Sequence, residues 1–296
     1  MASRPTSRLM AAAAWLAGWL PPAGLRALYR LGPISGLLRS LLNRSAPQGT
    51  SEVTVASGQL AGARLLLDLR EEKDLWLGSY EPFMLEAVAR FARSGMTAYD
   101  VGAHVGYVTV CLAQAVGPQG HVVAFEPLPA NQQRLRANLE LNGLSGRVQV
   151  VAGAVGEAAG RQLFKPHPSV AMGKLVAHDA EDEPTAGLLE VEVIALDEFV
   201  AGAGTAPGLV KMDIEGGEAA ALRGMRRVLR EFGPILLVEI HGAQAAQGVW
   251  DELRSAEYRI CRLARGFPGL ESAADLRGRI HILGLPPGSG SETGDP

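Results

Sequence analysis

The stretch Ala98-Tyr99-Asp100-Val101-Gly102-Ala103-His104-Val105-Gly106-Tyr107, with Val122-Val123-Ala124-Phe125-Glu126-Pro127 after it, decides the fold. It reads as a strand, a glycine turn, a helix and a second strand with an acid at its end. Gly102 and Gly106 let the backbone approach a ligand closely and let the helix start tight against the strand. Glu126 follows Gly102 by 24 residues, a separation at which an acid reaches ribose hydroxyls. The spacing is D-x-G-x-x-x-G, so the dinucleotide fingerprint G-x-G-x-x-G is absent. The layout suits a nucleoside-bearing cofactor with no pyrophosphate at the helix N-terminus, and S-adenosylmethionine is the common one.

Working outward, strand and helix alternate, which predicts a parallel, doubly wound sheet. Strands are expected at about 98–101, 121–126, 147–152, 209–213 and 235–240. Helices are expected at about 80–91, 105–116, 129–142, 217–231 and 244–256. Pro129 opens one helix, and Asn142-Gly143 closes it. Phe83, Leu85, Val88 and Phe91 are expected on the inner side of the 80–91 helix. Ala221, Leu222, Met225, Val228, Leu229 and Phe232 keep helical spacing in the 217–231 helix. Residues 52–69 read as a β-hairpin around a Gly58–Gly62 turn. Residues 156–190 read as a hairpin plus a mobile loop with an acidic cluster, Asp179–Glu183. Two last strands, 258–264 and 279–285, depart from a plain alternating pattern and predict an antiparallel final strand.

Bulk properties narrow the classes. The chain has 296 residues, 47% of them apolar, and a net charge of -3. That is a normal globular core with no basic field for nucleic acid. Two cysteines, Cys111 and Cys261, supply neither a disulfide framework nor a zinc site. They read as buried thiols of a reducing, cytoplasmic compartment. The apolar run Leu9–Leu20 is shorter than the roughly 20 residues a membrane span needs. Leucines 25–42 among Arg26, Arg30 and Arg39 form a basic amphipathic pattern broken by Gly32-Pro33. Residues 1–48 therefore read as a helical N-terminal extension that packs on the catalytic domain or a second subunit, or makes peripheral membrane contact. Residues 49–286 form the main domain, and 287–296 read as a disordered tail.

Four blocks in order resemble the FkbM-type methyltransferase family. They are Tyr99–Gly106; Phe125-Glu126-Pro127 with Asn131, Leu135, Asn138 and Asn142-Gly143; Leu196-Asp197-Glu198-Phe199; and Val210–Glu218 with Val238-Glu239-Ile240-His241 after it. The resemblance covers about 50–285. It implies a Rossmann-like class I methyltransferase fold, α/β, with a seven-stranded sheet in the order 3-2-1-4-5-7-6. It also implies S-adenosylmethionine as cofactor and O-methylation of a small-molecule hydroxyl on a sugar, polyketide or other natural-product scaffold. His104 stands where the family more often carries Asn. Ala154 falls where the family places the adenine ring.

Asp100 and the Gly102–Gly106 turn, with His104, are expected to hold the methionine portion of the cofactor. Glu126, with Pro127 beside it, is expected on the ribose. Asn131 and Asn138 sit seven residues apart on one helix face and suit structural hydrogen bonds at least as well as ligand contact. Asp213, Glu215, Glu239 and His241 end strands 4 and 5 and would meet in one crevice. Acids there attract a cationic sulfonium and orient an acceptor hydroxyl. His241 is the first choice for general base, because its pKa lies near neutrality, with Asp213 and Glu239 beside it. Glu218 reads as a solvated or capping acid. These residues carry no dedicated metal motif, so no metal site is expected. His121, His167, His178 and His281 receive no role. Two rival readings remain at this stage. One is a nicotinamide-dependent oxidoreductase; the other is a catalytically silent cofactor-binding or membrane-associated assembly protein.

Overall fold

The computed structural model of the chain describes residues 46–166, 173–175, 187–203, 205–276 and 278–289. Most of the N-terminal extension, the Asp179–Glu183 cluster and residues 290–296 lie outside the described residues.

A hairpin opens the described chain, with β1 (Thr50–Thr54) antiparallel to β2 (Arg64–Asp68). Two helices follow, α1 (Lys73–Leu77) and α2 (Pro82–Phe91). The main sheet then begins with β3 (Thr97–Val101), α3 (Tyr107–Ala115), β4 (His121–Phe125), α4 (Pro129–Leu141) and β5 (Val148–Val151). A smaller sheet is inserted next, built from β6 (Ala154–Val155), β7 (Gly160–Pro166), β8 (Gly173–Leu175) and β9 (Leu189–Ile194). Within 156–190, where a hairpin is expected, β7 pairs antiparallel with β8, and β9 pairs with the other edge of β7. The chain returns through α5 (Leu196–Ala203), β10 (Leu209–Met212), α6 (Glu218–Arg223), α7 (Arg226–Glu231) and β11 (Ile235–Ile240). It ends with α8 (Ala243–Ser255), β12 (Arg259–Arg262) and β13 (Ile280–Leu285).

The seven main strands lie in the order β12-β13-β11-β10-β3-β4-β5. Counted from β3, that is the expected 3-2-1-4-5-7-6. The pairs from β11 to β5 are parallel, and β13 runs antiparallel to both its neighbours. The chain steps outward from β3 to β5 and then returns to β10 on the other side of β3. That reversal opens a crevice at the carboxyl ends of β3 and β10, where ligands bind in open α/β sheets.

The strands are apolar on both faces, as a sheet covered by helices on both sides requires. In β11 every residue from Leu236 to Ile240 is buried, Glu239 included. Three polar residues of α4 instead serve the free edge of β2. Asn142 exchanges two hydrogen bonds with the Arg64 backbone, and Asn138 Oδ1 accepts from Leu66 N at 2.6 Å. Arg134 donates to Leu66 O at 3.0 Å and pairs with Glu72. Spaced by four, these side chains lie on one face of the helix and replace a missing neighbouring strand. Asn138 also donates to Val105 O at 2.7 Å, which ties the hairpin to the glycine turn.

Three expectations need correction. Phe83 is 38% exposed and Phe232 48% exposed. Phe83 sits in the first turn of α2 and Phe232 at the C-cap of α7, so both fall at helix ends, away from the packed faces. The 217–231 helix is two helices, α6 and α7. A side chain at Gly224 would strike the Gly156 carbonyl, so the backbones touch there. Asp197 caps the restart by accepting from Arg227 N and Val228 N at 3.0 and 2.8 Å.

Candidate active site

The crevice holds a cavity of about 340 Å³. Its wall comes from the segments that leave the strands: Gly102–His104 after β3, Glu126–Leu128 after β4, Gly153–Val155 after β5 and Asp213–Glu215 after β10. Tyr80 and the Glu71–Asp74 stretch close another side. Expected cofactor residues Gly102, His104, Glu126, Pro127, Ala154 and Asp213 thus share one cavity.

The turn after β3 depends on its glycines. Gly102 has φ +79°, and a Cβ there would lie 2.0 Å from the Asp213 carbonyl oxygen. Gly106, φ +89°, caps α3, and a Cβ there would strike Leu135. His104 between them is also left-handed, φ 51°, a conformation that Asn adopts more readily than most residues. Burial, with Arg134 and Lys211 nearby, pushes the His104 pKa down to about 4. The imidazole is neutral at pH 7.

Glu126 is 4% exposed. Its Oε2 accepts from His104 N at 2.8 Å, and its Oε1 accepts from Leu128 N at 2.9 Å and Asn131 Nδ2 at 3.1 Å. Burial still outweighs these bonds and holds its pKa above the ordinary value. Asn131 therefore orients the acid, while Asn138 is structural.

Asp100 is fully buried and does not border the cavity. It accepts from Thr109 Oγ1 at 2.6 Å and pairs with Lys211 at 3.1 Å. Lys211, 4% exposed, also donates to Gly102 O at 2.8 Å. Burial lowers its pKa, but Asp100, Asp213 and Glu81 more than offset that, so the ammonium stays charged. Asp100 thus reaches the turn through Lys211. Sequence reasoning gave Lys211 no role. The available signal was a lone cation in an otherwise apolar strand, opposite Asp100 in the β10–β3 register.

The second cluster gathers around His241, at the end of β11. Its Nε2 lies 3.8 Å from Asp213, 3.5 Å from Glu215 and 3.4 Å from Glu239. Its Nδ1 lies 2.9 Å from Glu218 Oε1. Of this group Asp213 and Glu215 border the cavity, while His241 and Glu239 stand behind them. Glu239 is fully buried, with Arg279 on one oxygen and His281 Nε2 3.1 Å from the other. His281 also reaches Glu81 at 3.2 Å. The antiparallel register sets His281 opposite Glu239, a pairing invisible before the strand order is known. Burial raises the Asp213 pKa, with Lys211 partly opposing it. Burial lowers the His241 pKa, but the bond to Glu218 and the surrounding carboxylates more than reverse that. Glu218 is completely buried, which corrects the solvated reading; it does cap the local turn, accepting from Gly216 N at 3.0 Å.

Donor atoms of Asp213, Glu239 and His241 lie within 4.8 Å of one another, as do those of Glu81, Glu239 and His281. Carboxylates gather in this way without an ion. These groups already engage one another and Arg279, so neither set is assigned a metal.

The arrangement is thus one cavity lined by a glycine turn and the buried acid Glu126 together with Asp213 and Glu215, with the His241 cluster behind them. Residues 100–260 match the family described as Methyltransferase FkbM domain. The chain belongs to the FkbM methyltransferase family. As an FkbM methyltransferase it uses S-adenosylmethionine, and the nicotinamide reading is set aside. It is similar to the hexuronic acid methyltransferase AglP of Haloferax volcanii, 29% identical over 64% of this chain and 71% of that protein. It is also similar to the 31-O-demethyl-FK506 methyltransferase FkbM of Streptomyces tacrolimicus, 30% identical over 53% of this chain and 69% of that one. Among solved structures, the methyltransferase FkbM of Methylobacillus flagellatus matches 72% of this chain at 21% identity and a TM-score of 0.46. This chain spans about half of that protein, 52%. No helix among the described residues is long and apolar enough to cross a membrane.

Proposed function

We propose that this FkbM methyltransferase transfers the methyl group of S-adenosylmethionine to a hydroxyl oxygen of a sugar, polyketide or other natural-product scaffold. The observation that carries the reading is that Glu126 and Asp213 line one cavity, with His241 3.8 Å behind Asp213. The two relatives above act on a hexuronic acid and on a demethylated FK506, which supports a hydroxylated small-molecule acceptor.

Bound S-adenosylmethionine supplies an electrophilic sulfonium methyl. Glu126 holds the ribose. A carboxylate offers about four lone-pair sites, and the three protein donors already on Glu126 leave room for one ribose hydroxyl. Pro127 keeps that edge of the cavity rigid, and Ala154 offers an apolar surface to the adenine. The Gly102–Gly106 turn and His104 hold the methionine portion, with Asp100 acting through Lys211. Asp213 meets the acceptor hydroxyl at the cavity wall. His241 stands behind it and takes the hydroxyl proton as the oxygen attacks, and Glu239 stabilises the imidazolium that forms. Much of the acceleration comes from alignment of the two partners, which can supply about 7–11 kcal/mol. An intracellular cofactor and two buried, unpaired cysteines support a cytoplasmic location.

Incubation with methyl-labelled S-adenosylmethionine and a panel of hexoses, uronic acids and hydroxylated macrolides tests the reading. Mass spectrometry is expected to find the label as an O-methyl group. Label on nitrogen or carbon would overturn the oxygen assignment.

A further inference from the structure

Glu218 is the least explained acid of the second cluster. It is the first residue of α6, has no exposed surface, and touches neither the cavity nor solvent. Its Oε1 accepts from Gly216 N at 3.0 Å and lies 2.9 Å from His241 Nδ1. An ionised carboxylate can only accept hydrogen bonds, so the proton between them belongs to Nδ1. A neutral His241 then has its lone pair on Nε2.

That atom is buried and has no hydrogen-bond partner among the described residues. It faces Asp213 and Glu215 from the turn after β10 and Glu239 from β11. The remaining charged groups around it are Arg279, which engages Glu239 from the start of β13, His281 on the far oxygen of Glu239, and Lys211 near Asp213. The ring is held on one nitrogen and open on the other. The other tautomer would set a lone pair against the Glu218 carboxylate and lose that hydrogen bond.

We propose that Glu218 is a positioning residue for the reaction: it fixes His241 as the Nδ1–H tautomer and so aims the Nε2 lone pair at Asp213 and the acceptor. The proposal rests on the reading of His241 as the proton acceptor. In the reaction the acceptor O–H bond breaks, the oxygen forms its bond to the methyl carbon, and the sulfur–methyl bond breaks to leave a thioether. The proton, carried by the Asp213 carboxylate at the cavity wall, ends on Nε2. Both N–H groups of the imidazolium then face carboxylates, Glu218 on one side and Asp213, Glu215 and Glu239 on the other. The orienting carboxylate behind a catalytic histidine works by the same logic in hydrolase triads.

The test needs no acceptor. Full-length protein labelled with nitrogen-15 histidine is saturated with S-adenosylhomocysteine, and the His241 signals are assigned by their loss in His241→Ala. Long-range nitrogen–proton spectra report the tautomer, and a pH series reports the titration. Wild type is expected to show Nδ1–H in the neutral ring and to titrate above the ordinary 6.5. Glu218→Gln keeps an acceptor oxygen but loses the charge, so His241 should keep its tautomer and titrate about one unit or more lower. Glu218→Leu should release the tautomer to a mixture. An unmoved titration in folded Glu218→Gln, or Nε2–H in the wild type, would overturn the proposal. Should Glu218→Leu fail to fold, the glutamine variant decides alone. Wild type that binds no S-adenosylhomocysteine would instead count against the proposed function.

Discussion

The two ends of the cavity are built in opposite ways. The cofactor end is local: Gly102, His104, Gly106 and Glu126 come from one strand–helix–strand unit, and its key contacts are made by backbone N–H groups. The second cluster, Asp213 at the cavity wall with Glu218, Glu239 and His281 behind it, is assembled from separate segments of the second half of the chain. Lys211 joins them, reaching Asp100 and Gly102 O at one end and standing beside Asp213 at the other. A local site can be read from spacing and is sensitive to backbone changes. An assembled site depends on register and is sensitive to charge.

The largest expected effect comes from the shared residue. Lys211→Met leaves Asp100 buried without its partner, which costs about 3–5 kcal/mol. Urea denaturation should show that loss together with weakened S-adenosylhomocysteine binding; full stability would mean that the two ends are independent. His241→Ala should strike one end alone. Turnover on whichever acceptor the labelling assay finds should fall about 100-fold, with S-adenosylhomocysteine affinity within about twofold of wild type. A matching loss of affinity would reassign His241 to structure. Gly102→Ala should strike the other end. A left-handed alanine costs about 1–2 kcal/mol, and the added methyl displaces the Asp213 carbonyl. Isothermal titration should show cofactor affinity falling by tenfold or more, and an unchanged affinity would break the assignment of the turn.

The smallest effect is a pH slope. Above pH 6.5 the group that decides the slope is His241, whose folded pKa lies above its ordinary value, and the raised pKa values of Glu126 and Asp213 act in the same direction, so there the folded state binds more protons than the unfolded chain. Stability of the ligand-free protein should therefore rise as the pH falls towards 6.5, below which the buried, neutral His104 works in the opposite direction. The His241 share is fully present below its ordinary value of 6.5 and is lost as pH rises through its raised folded value. The carboxylate share is a penalty that grows as pH rises above their ordinary values. Denaturation curves across that range should show the slope, and His241→Ala should flatten its upper part. A stability that rises with pH above 6.5 would contradict the His241 assignment.

The same contrast explains what the sequence could tell. The alternation of strand and helix, the hairpin and the glycine turn were legible because alternation, proline and glycine act locally, whereas the strand order was implied only by the family resemblance. Pro129 opens α4 and Gly143, φ +66°, follows its end, as the local rules require. The break between α6 and α7 was not legible, because what meets it, the Gly156 backbone at Gly224 and Asp197 at the restart, lies far away in sequence. Phe83 and Phe232 obey helical spacing yet lie at helix ends, where packing stops. Asp100 looked like a ligand residue because it precedes the turn; its partner Lys211 appears only once β10 pairs with β3. His281 had no visible context until β13 ran antiparallel against β11. Glu218 was visible beside Gly216, but its main partner lies 23 residues away.

The most direct measurement is isothermal titration of S-adenosylhomocysteine and S-adenosylmethionine into wild type, Glu126→Ala and His241→Ala. The structure predicts binding by wild type, affinity weakened tenfold or more in Glu126→Ala, a loss of about 1.4 kcal/mol, and affinity essentially unchanged in His241→Ala. Equal binding by Glu126→Ala, or no binding by folded wild type, would contradict the assignment of the two ends.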